Sequence, residues 1–410
     1  MRPAGRLGPL AERQFRLLFA GRTVSVLGNA IAPIALAFAV LDLTGSKSDL
    51  GFVLAARAIP QVLFILVGGI WADRLKRNHV MVASNILSGV TQAMVAALLL
   101  TGTAQVWMLI VLAAVNGFAG AFFFPASVGI VPQTVPATML QSANALLRLG
   151  LNATNIVGAA IGGVLVAATS PGTAIAVDAV TFFLGALLIG LMSLPAALRM
   201  EGSHFFGELA EGWREFRSRT WLWAIVVQFG VVNAAMVGAQ SVLGPAVAKQ
   251  SLGGAAGWGL ILTCESAGLL LGGMLQLRLR PRRLLLVATF GVMLNSLVMV
   301  GLAVPLTLAA VCFFGLLAGV GIETFGVNWD TALQQEIPGD KLSRVSSYDA
   351  VGSWVLIPLG LAVAGPIADA IGTSTTLYAV AVLNIVAALA VLSVREVRTL
   401  RRVQPAIMIS

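Results

Sequence analysis

"GGIWADRLKR", residues 68–77, places one acid and three bases between two long apolar runs, 50–72 before it and 80–101 after it. A soluble domain carries roughly 25% charged residues. This chain of 410 residues has 10%, against 58% hydrophobic, and its mean hydropathy is +0.93. A spanning helix needs roughly 20 mostly apolar residues. Twelve such runs can be laid down, over 20–41, 50–72, 80–101, 105–130, 141–168, 173–194, 221–246, 256–277, 284–303, 306–329, 345–370 and 374–393. Little of the chain lies outside them, so its function must come from the membrane-embedded part.

The charged decapeptide is then a loop between two spans, and its bases carry topology. Cytoplasmic loops collect Lys and Arg. With the N-terminus inside, Arg13, Arg16, Arg74, Lys76, Arg77, Arg214, Arg217, Arg278, Arg282, Arg283, Lys341, Arg344, Arg395 and Arg398 share one side, and only Lys47 and Lys249 fall on the other. Both termini are expected in the cytoplasm of a multi-pass protein. The net charge of +9 is explained by this asymmetry, so nucleic acid is not expected as a partner. Cys264 and Cys312 fall inside spans and read as free apolar thiols, and neither His79 nor His204 has a second ligand nearby, so no metal is expected. The first apolar run has no convincing cleavage site and is expected to stay as a helix.

Slid along itself by about 200 residues, the chain matches its own loop. "GGIWADRLKR" aligns with "GGMLQLRLRP" at 272–281, and at an offset of 202 Gly150 meets Gly352, Gly158 meets Gly360 and Gly163 meets Gly365. Six spans per half put both halves in the same membrane orientation, the parallel repeat of a rocking transporter. The expected fold is an all-α integral membrane protein with 12 transmembrane helices in two parallel six-helix repeats. Its parts are an N-terminal bundle at 1–194, an amphipathic cytoplasmic linker at 195–220, a C-terminal bundle at 221–394 and a basic cytoplasmic tail at 395–410. In the linker, Leu209, Trp213 and Phe216 share a face at helical spacing while Glu208, Glu211, Arg214, Glu215 and Arg217 cover the rest, as in a helix lying at an interface.

Asp73 ends a helix, where the macrodipole is negative, so it should seek a partner elsewhere: a neighbouring arginine, the start of the next helix, or a helix of the other half. "GIWADRLKRN", Gly69 to Asn78, resembles the Gly-x-x-x-Asp-Arg-x-x-Arg signature between the second and third helices of the major facilitator superfamily. Gly69, Asp73, Arg74 and Arg77 match; Lys76 stands where that family often has Gly, and Asn78 where it often has a base. The resemblance implies a conformational latch at Asp73, reaching the segment from Ser343 to Tyr348. The second copy of the loop has Leu277 in place of the acid.

"GAAIGG", with Gly158, Gly162 and Gly163, is similar to the antiporter motif of that superfamily, with Ala159 in the place of its proline. Small residues at this spacing also serve tight helix packing. The stretches at 43–64 and 329–353 resemble the branch with the enterobactin exporter and macrolide efflux proteins. This resemblance implies export of a hydrophobic or amphiphilic small molecule, such as a drug, antibiotic or siderophore, in exchange for protons. "GSKS" at 45–48 lacks the first Gly and the Gly-Lys pair of a phosphate loop, so no nucleotide or other cofactor is expected and the proton gradient is the expected energy source.

Charges at mid-membrane are costly and are functional candidates by default. Glu323, Glu265 and Asp178 are the candidates for proton coupling, because desolvation penalises a charged carboxylate; for Asp178 a fixed salt bridge to an arginine such as Arg57 is the alternative. Asn29, Arg57, Asn233, Gln240, Phe325 and Trp329 are candidates for lining a substrate cavity, with helix–helix hydrogen bonds or core packing as the alternative. No nucleophile, His cluster or acid–base pair points to catalysis, so the chain is not expected to be an enzyme. The reading is a functional monomer in the lipid bilayer of a bacterial cytoplasmic membrane, taking a small-molecule substrate. A proton-coupled importer of a small nutrient is the alternative within transport, and a membrane-embedded enzyme the alternative outside it.

Overall fold

The computed structural model describes the backbone of residues 8–194, 205–279, 281–304 and 306–402, with their side chains except those of 65–74, 205–211, 339–340 and 343. The described chain is almost entirely helical. The first half contains α1 (Arg13–Thr44), α2 (Lys47–Arg74), α3 (Arg77–Leu100), α4 (Val106–Gly129), α5 (Leu140–Ala168) and α6 (Pro171–Gly190). A short helix follows, α7 (Phe205–Ser218), and then α8 (Thr220–Ser251), α9 (Gly254–Arg278), α10 (Leu284–Met293), α11 (Ser296–Ala303), α12 (Leu308–Glu336), α13 (Gly339–Trp354), α14 (Ile357–Ile371), α15 (Thr373–Leu392) and α16 (Arg395–Thr399).

The ends of these helices follow from local chemistry. α1 stops at Gly45, whose left-handed φ of 69° lets its N–H bond the Leu41 carbonyl, the usual glycine stop. α6 opens with Ser170 accepting a hydrogen bond from the Thr173 N–H and with Pro171 in the first turn, where the missing N–H costs nothing. Two expected spans are interrupted: 284–303 is split into α10 and α11, and 345–370 falls across α13 and α14.

Burial is inverted relative to a water-soluble protein. Leu63, Val164, Met274 and Leu277 are between 63% and 78% exposed, whereas Asn85, Asp178, Asn328 and Asn384 are almost completely buried. Lipid is the solvent that permits this arrangement. Among the described residues, eleven segments are long and apolar enough to cross a membrane. The remaining expected span, 50–72, lies in α2, whose helix is 28 residues long and whose last ten side chains are outside the described set.

By contacts the chain divides into two compact units, Met1–Met200 with Gly244–Thr263, and Glu201–Leu243 with Cys264–Ser410. Within the first, α1 packs on α5 and α6, α2 on α4, and α3 on α4 and α6. Within the second, α10 and α11 pack on α12 and α15, and α14 packs on α15. α9 meets α12 through Gly268 and Gly272, and α8 meets the α13–α14 span through Gly230 and Gly238. By span, α9 with α12 corresponds to α2 with α4, α8 with the α13–α14 span to α1 with α5, and α10 and α11 with α12 and α15 to α3 with α4 and α6.

Candidate functional site

In the first unit, Asp178 on α6 is fully buried. Its carboxylate accepts from Gln92 Nε2 of α3 at 2.5 Å and from Thr181 Oγ1 at 3.5 Å. Arg57 on α2 interacts with it electrostatically, but the guanidinium donates to Asn29 Oδ1 of α1 at 3.0 Å. Asn29 in turn donates to the Ser25 carbonyl. Arg57, Gln92 and Asn116 border one small cavity. Four helices are thus joined around one acid and one base that do not form a direct ion pair.

In the second unit, Glu265 sits midway along α9, partly buried, and accepts from Gln240 Nε2 of α8 at 2.7 Å. Glu323 lies on α12 with its Cβ against Gly272 of α9. Further along α12, Phe325 stacks on Phe229 with ring centroids 4.2 Å apart, and Trp329 is packed edge-on to Trp221 in the hydrophobic core. The Trp329 indole N–H donates to Asp349 at 2.9 Å, Ser353 donates to the other oxygen of that carboxylate, and Asn233 donates to the Ser353 carbonyl. Cys264 and Cys312 are free thiols.

The three glycines of 158–163 are contact points. A methyl on Gly158 would meet Ala30, one on Gly162 would stand 3.1 Å from the Ile31 Cα, and one on Gly163 would stand 2.7 Å from the Ala255 carbonyl oxygen. The same first unit holds Lys249, whose ammonium reaches Asp42 at 2.6 Å and the Leu41 carbonyl at 2.8 Å at the end of α1. In the 68–77 loop, the side chains of Gly69, Asp73 and Arg74 lie outside the described residues. Arg77 is described, and its guanidinium covers Gly129 at the C-terminus of α4, where Arg22 also donates to the Ser127 carbonyl. Two cations at a helix C-terminus suit its dipole.

Residues 18–348 match the family described as Major Facilitator Superfamily. The chain belongs to that superfamily. It is 28% identical over 389 residues to the "Multidrug efflux pump Tap" of Mycolicibacterium fortuitum, covering 91% of this chain and 92% of that protein. It is 22% identical to "Macrolide efflux protein A" of Streptococcus pyogenes, covering 94% and 97%. Among solved structures it is similar in fold to the nucleoside transporter NupG, with a TM-score of 0.75 at 13% identity, covering 93% of this chain and 98% of that one. The chain is therefore a multi-pass membrane transporter of the major facilitator fold, with relatives in its efflux branch.

Several polar residues of this major facilitator protein escaped the sequence reading. Gln92 is one; another set is Gln276, Thr324 and Asn328, where Gln276 donates to the Thr324 hydroxyl and Asn328 donates to Gln276. All are uncharged, and an isolated amide does not stand out in an apolar run. The available signal was periodic: Asn85, Ser88 and Gln92 recur at helical spacing along α3, so its polar stripe faces inward.

Proposed function

We propose that this transporter is a proton-coupled exporter of a hydrophobic or amphiphilic small molecule such as a drug, antibiotic or siderophore. It works by alternating access as a monomer in a bacterial cytoplasmic membrane, with both termini in the cytoplasm. Export is supported above all by its relationship, along nearly its whole length, to proteins named for multidrug and macrolide efflux. In this reading the chain is not an enzyme and needs no nucleotide, metal or other cofactor, because proton entry drives the cycle.

Glu265 carries the proton in this proposal. Its partner is the neutral amide of Gln240, so neutralising the carboxyl leaves no cation unpaired in the membrane. It is also only partly buried. Glu323 is the second candidate on the same α9–α12 seam, and the Asp73 loop supplies the conformational latch.

The test is accumulation of a panel of dyes, macrolides and siderophores in cells with and without the protein, with and without a protonophore. Expression should lower accumulation of at least one compound, the protonophore should abolish the effect, and Glu265→Gln should abolish it at equal membrane abundance. Higher accumulation on expression would reverse the direction. Undiminished, protonophore-sensitive efflux by Glu265→Gln would remove Glu265 from the mechanism.

A further inference from the structure

A second site lies within the first unit. α2 packs along α4, and α3 packs along α4 and α6. This leaves a trough between α2 and α3 whose floor is α4. The trough has a volume of about 430 Å³, with Phe64 and Leu75 of α2 and its following turn on one wall, Val80, Ser84 and Leu87 of α3 on the other, and Ala119 at the base. Phe118 and Phe122 of α4 close on Phe64 as an aromatic chain, with centroids 5.0 Å and 4.9 Å apart. Phe64, Leu75 and Phe118 are exposed, so the trough is open at the surface of the first unit.

Its position and its two ends determine what it fits. The α3 wall lies in the first eleven residues of a helix that begins at Arg77. At 1.5 Å per residue the trough therefore extends roughly 15 Å from that end, about half of the roughly 30 Å hydrocarbon core, the depth of one leaflet. Among the described lining residues Ser84 is the lone polar side chain, and these residues suit a hydrocarbon chain. Lys76 and His79, both exposed, directly precede Val80 in the chain. A base at the headgroup level favours an anionic lipid, by about 1 kcal/mol per Lys or Arg near an anionic surface.

We infer that this trough is a binding site for an anionic phospholipid, with one acyl chain lying between α2 and α3 on α4 and the phosphate headgroup at Lys76. The occupant comes from the leaflet in which α3 begins. The site borders the loop that bears the superfamily signature, so an occupied trough would bear directly on α2, α3 and α4. This inference does not depend on which substrate is exported or in which direction.

The experiment uses the full chain in nanodiscs containing phosphatidylglycerol or phosphatidylcholine that carries a photoreactive acyl chain, with cross-linked peptides mapped by mass spectrometry. Cross-links to 80–87 and 118–122 are expected, several-fold more with phosphatidylglycerol than with phosphatidylcholine. Ala83 is exposed on the trough wall, so Ala83→Phe should fill the space without disturbing the core and reduce those cross-links several-fold. Lys76→Gln should keep the cross-links and erase the preference between the two lipids. Equal labelling of wild type and Ala83→Phe would overturn the site, and equal labelling by both lipids in wild type would overturn the headgroup assignment. Displacement of the probe by an exported dye would make the trough a substrate site instead.

Discussion

Gly158 and Gly360 are partners in the internal repeat, yet they meet different atoms. A methyl group on Gly158 would strike the Ala30 side chain, whereas one on Gly360 would strike the Ala234 carbonyl oxygen. A side chain can be cut back, and a backbone carbonyl cannot. Overpacking of this kind costs about 1–3 kcal/mol. Gly158→Ala should therefore lower the melting temperature, and adding Ala30→Gly should restore most of it. Gly360→Ala should destabilise at least as much, and adding Ala234→Gly should restore nothing. Thermal unfolding of the four variants in detergent decides this, and rescue at the second site would show that the two helices can part there. The pairing of these glycines was legible from their spacing. What each one touches was not, because the same residue type serves both kinds of contact. The acids behave similarly: Glu265 and Asp178 stand out as charges in apolar runs, but that one is held by Gln240 and the other by Gln92 depends on how helices are rotated.

Among the elements, the ninth expected span shows what a hydropathy pattern hides. The run 284–303 is apolar enough on average to read as one span and holds no proline, but the polar pair Asn295 and Ser296 sits where α10 ends at Met293 and α11 begins at Ser296. The interruption is held from outside: Asn384 of α15 donates to the Val292 carbonyl at 3.0 Å and to the Ser296 hydroxyl at 2.9 Å. Interhelical hydrogen bonds of this type contribute about 0.6 kcal/mol on average in a membrane protein and up to roughly 1.7. Asn384→Leu should cost about that much and raise amide exchange at 292–296, whereas unchanged exchange would mean that packing alone sustains the break. The linker helix α7 offers a prediction outside the membrane. Trp213 and Phe216 pack on Tyr348 of α13, and Glu215 binds Arg219 at 2.9 Å and Lys341 at 3.2 Å. Arg219 also approaches Glu336 at 3.7 Å. The hydrogen bond from Arg219, reinforced by Lys341, holds the Glu215 carboxyl below its ordinary range. A carboxylate lowered on docking stabilises the docked state fully above its undocked pKa, ordinarily about 4.3, and loses that contribution as pH falls through its lowered docked value. Exchange protection factors for α7 should thus be level near neutrality and drop in acid, with the drop blunted in Glu215→Gln. An equal acid drop in that variant would place the sensitivity elsewhere. That Trp213 and Phe216 share a face was legible from spacing; their docking on α13 was not, since that needs the position of Tyr348.

At the scale of the whole molecule, the repeat in sequence becomes a repeat in packing, but the polar centres do not follow it. The first unit holds its buried acid on α6, with two donors and the Arg57 guanidinium in range. The second holds Glu265 on α9 with one neutral amide. An acid whose charge is compensated on several sides is built into the fold, and removing that charge leaves the partly buried Arg57 without its counter-charge. Taking away one partner of a buried charge pair costs about 3–5 kcal/mol at the upper end, and the absence of direct contact here should keep the cost below that. Asp178→Asn should therefore lower the thermal stability of the purified protein by an amount that Glu265→Gln does not, and its loss of transport should scale with the loss of folded protein. Glu265→Gln should leave the melting temperature near that of wild type while removing the response of transport to a proton gradient in proteoliposomes. Melting curves and gradient-driven transport measured on the same preparations separate the two roles. If Asp178→Asn melted like wild type and lost only the gradient response, the proton site would belong to the first unit, and Glu265 would be the acid that the fold requires.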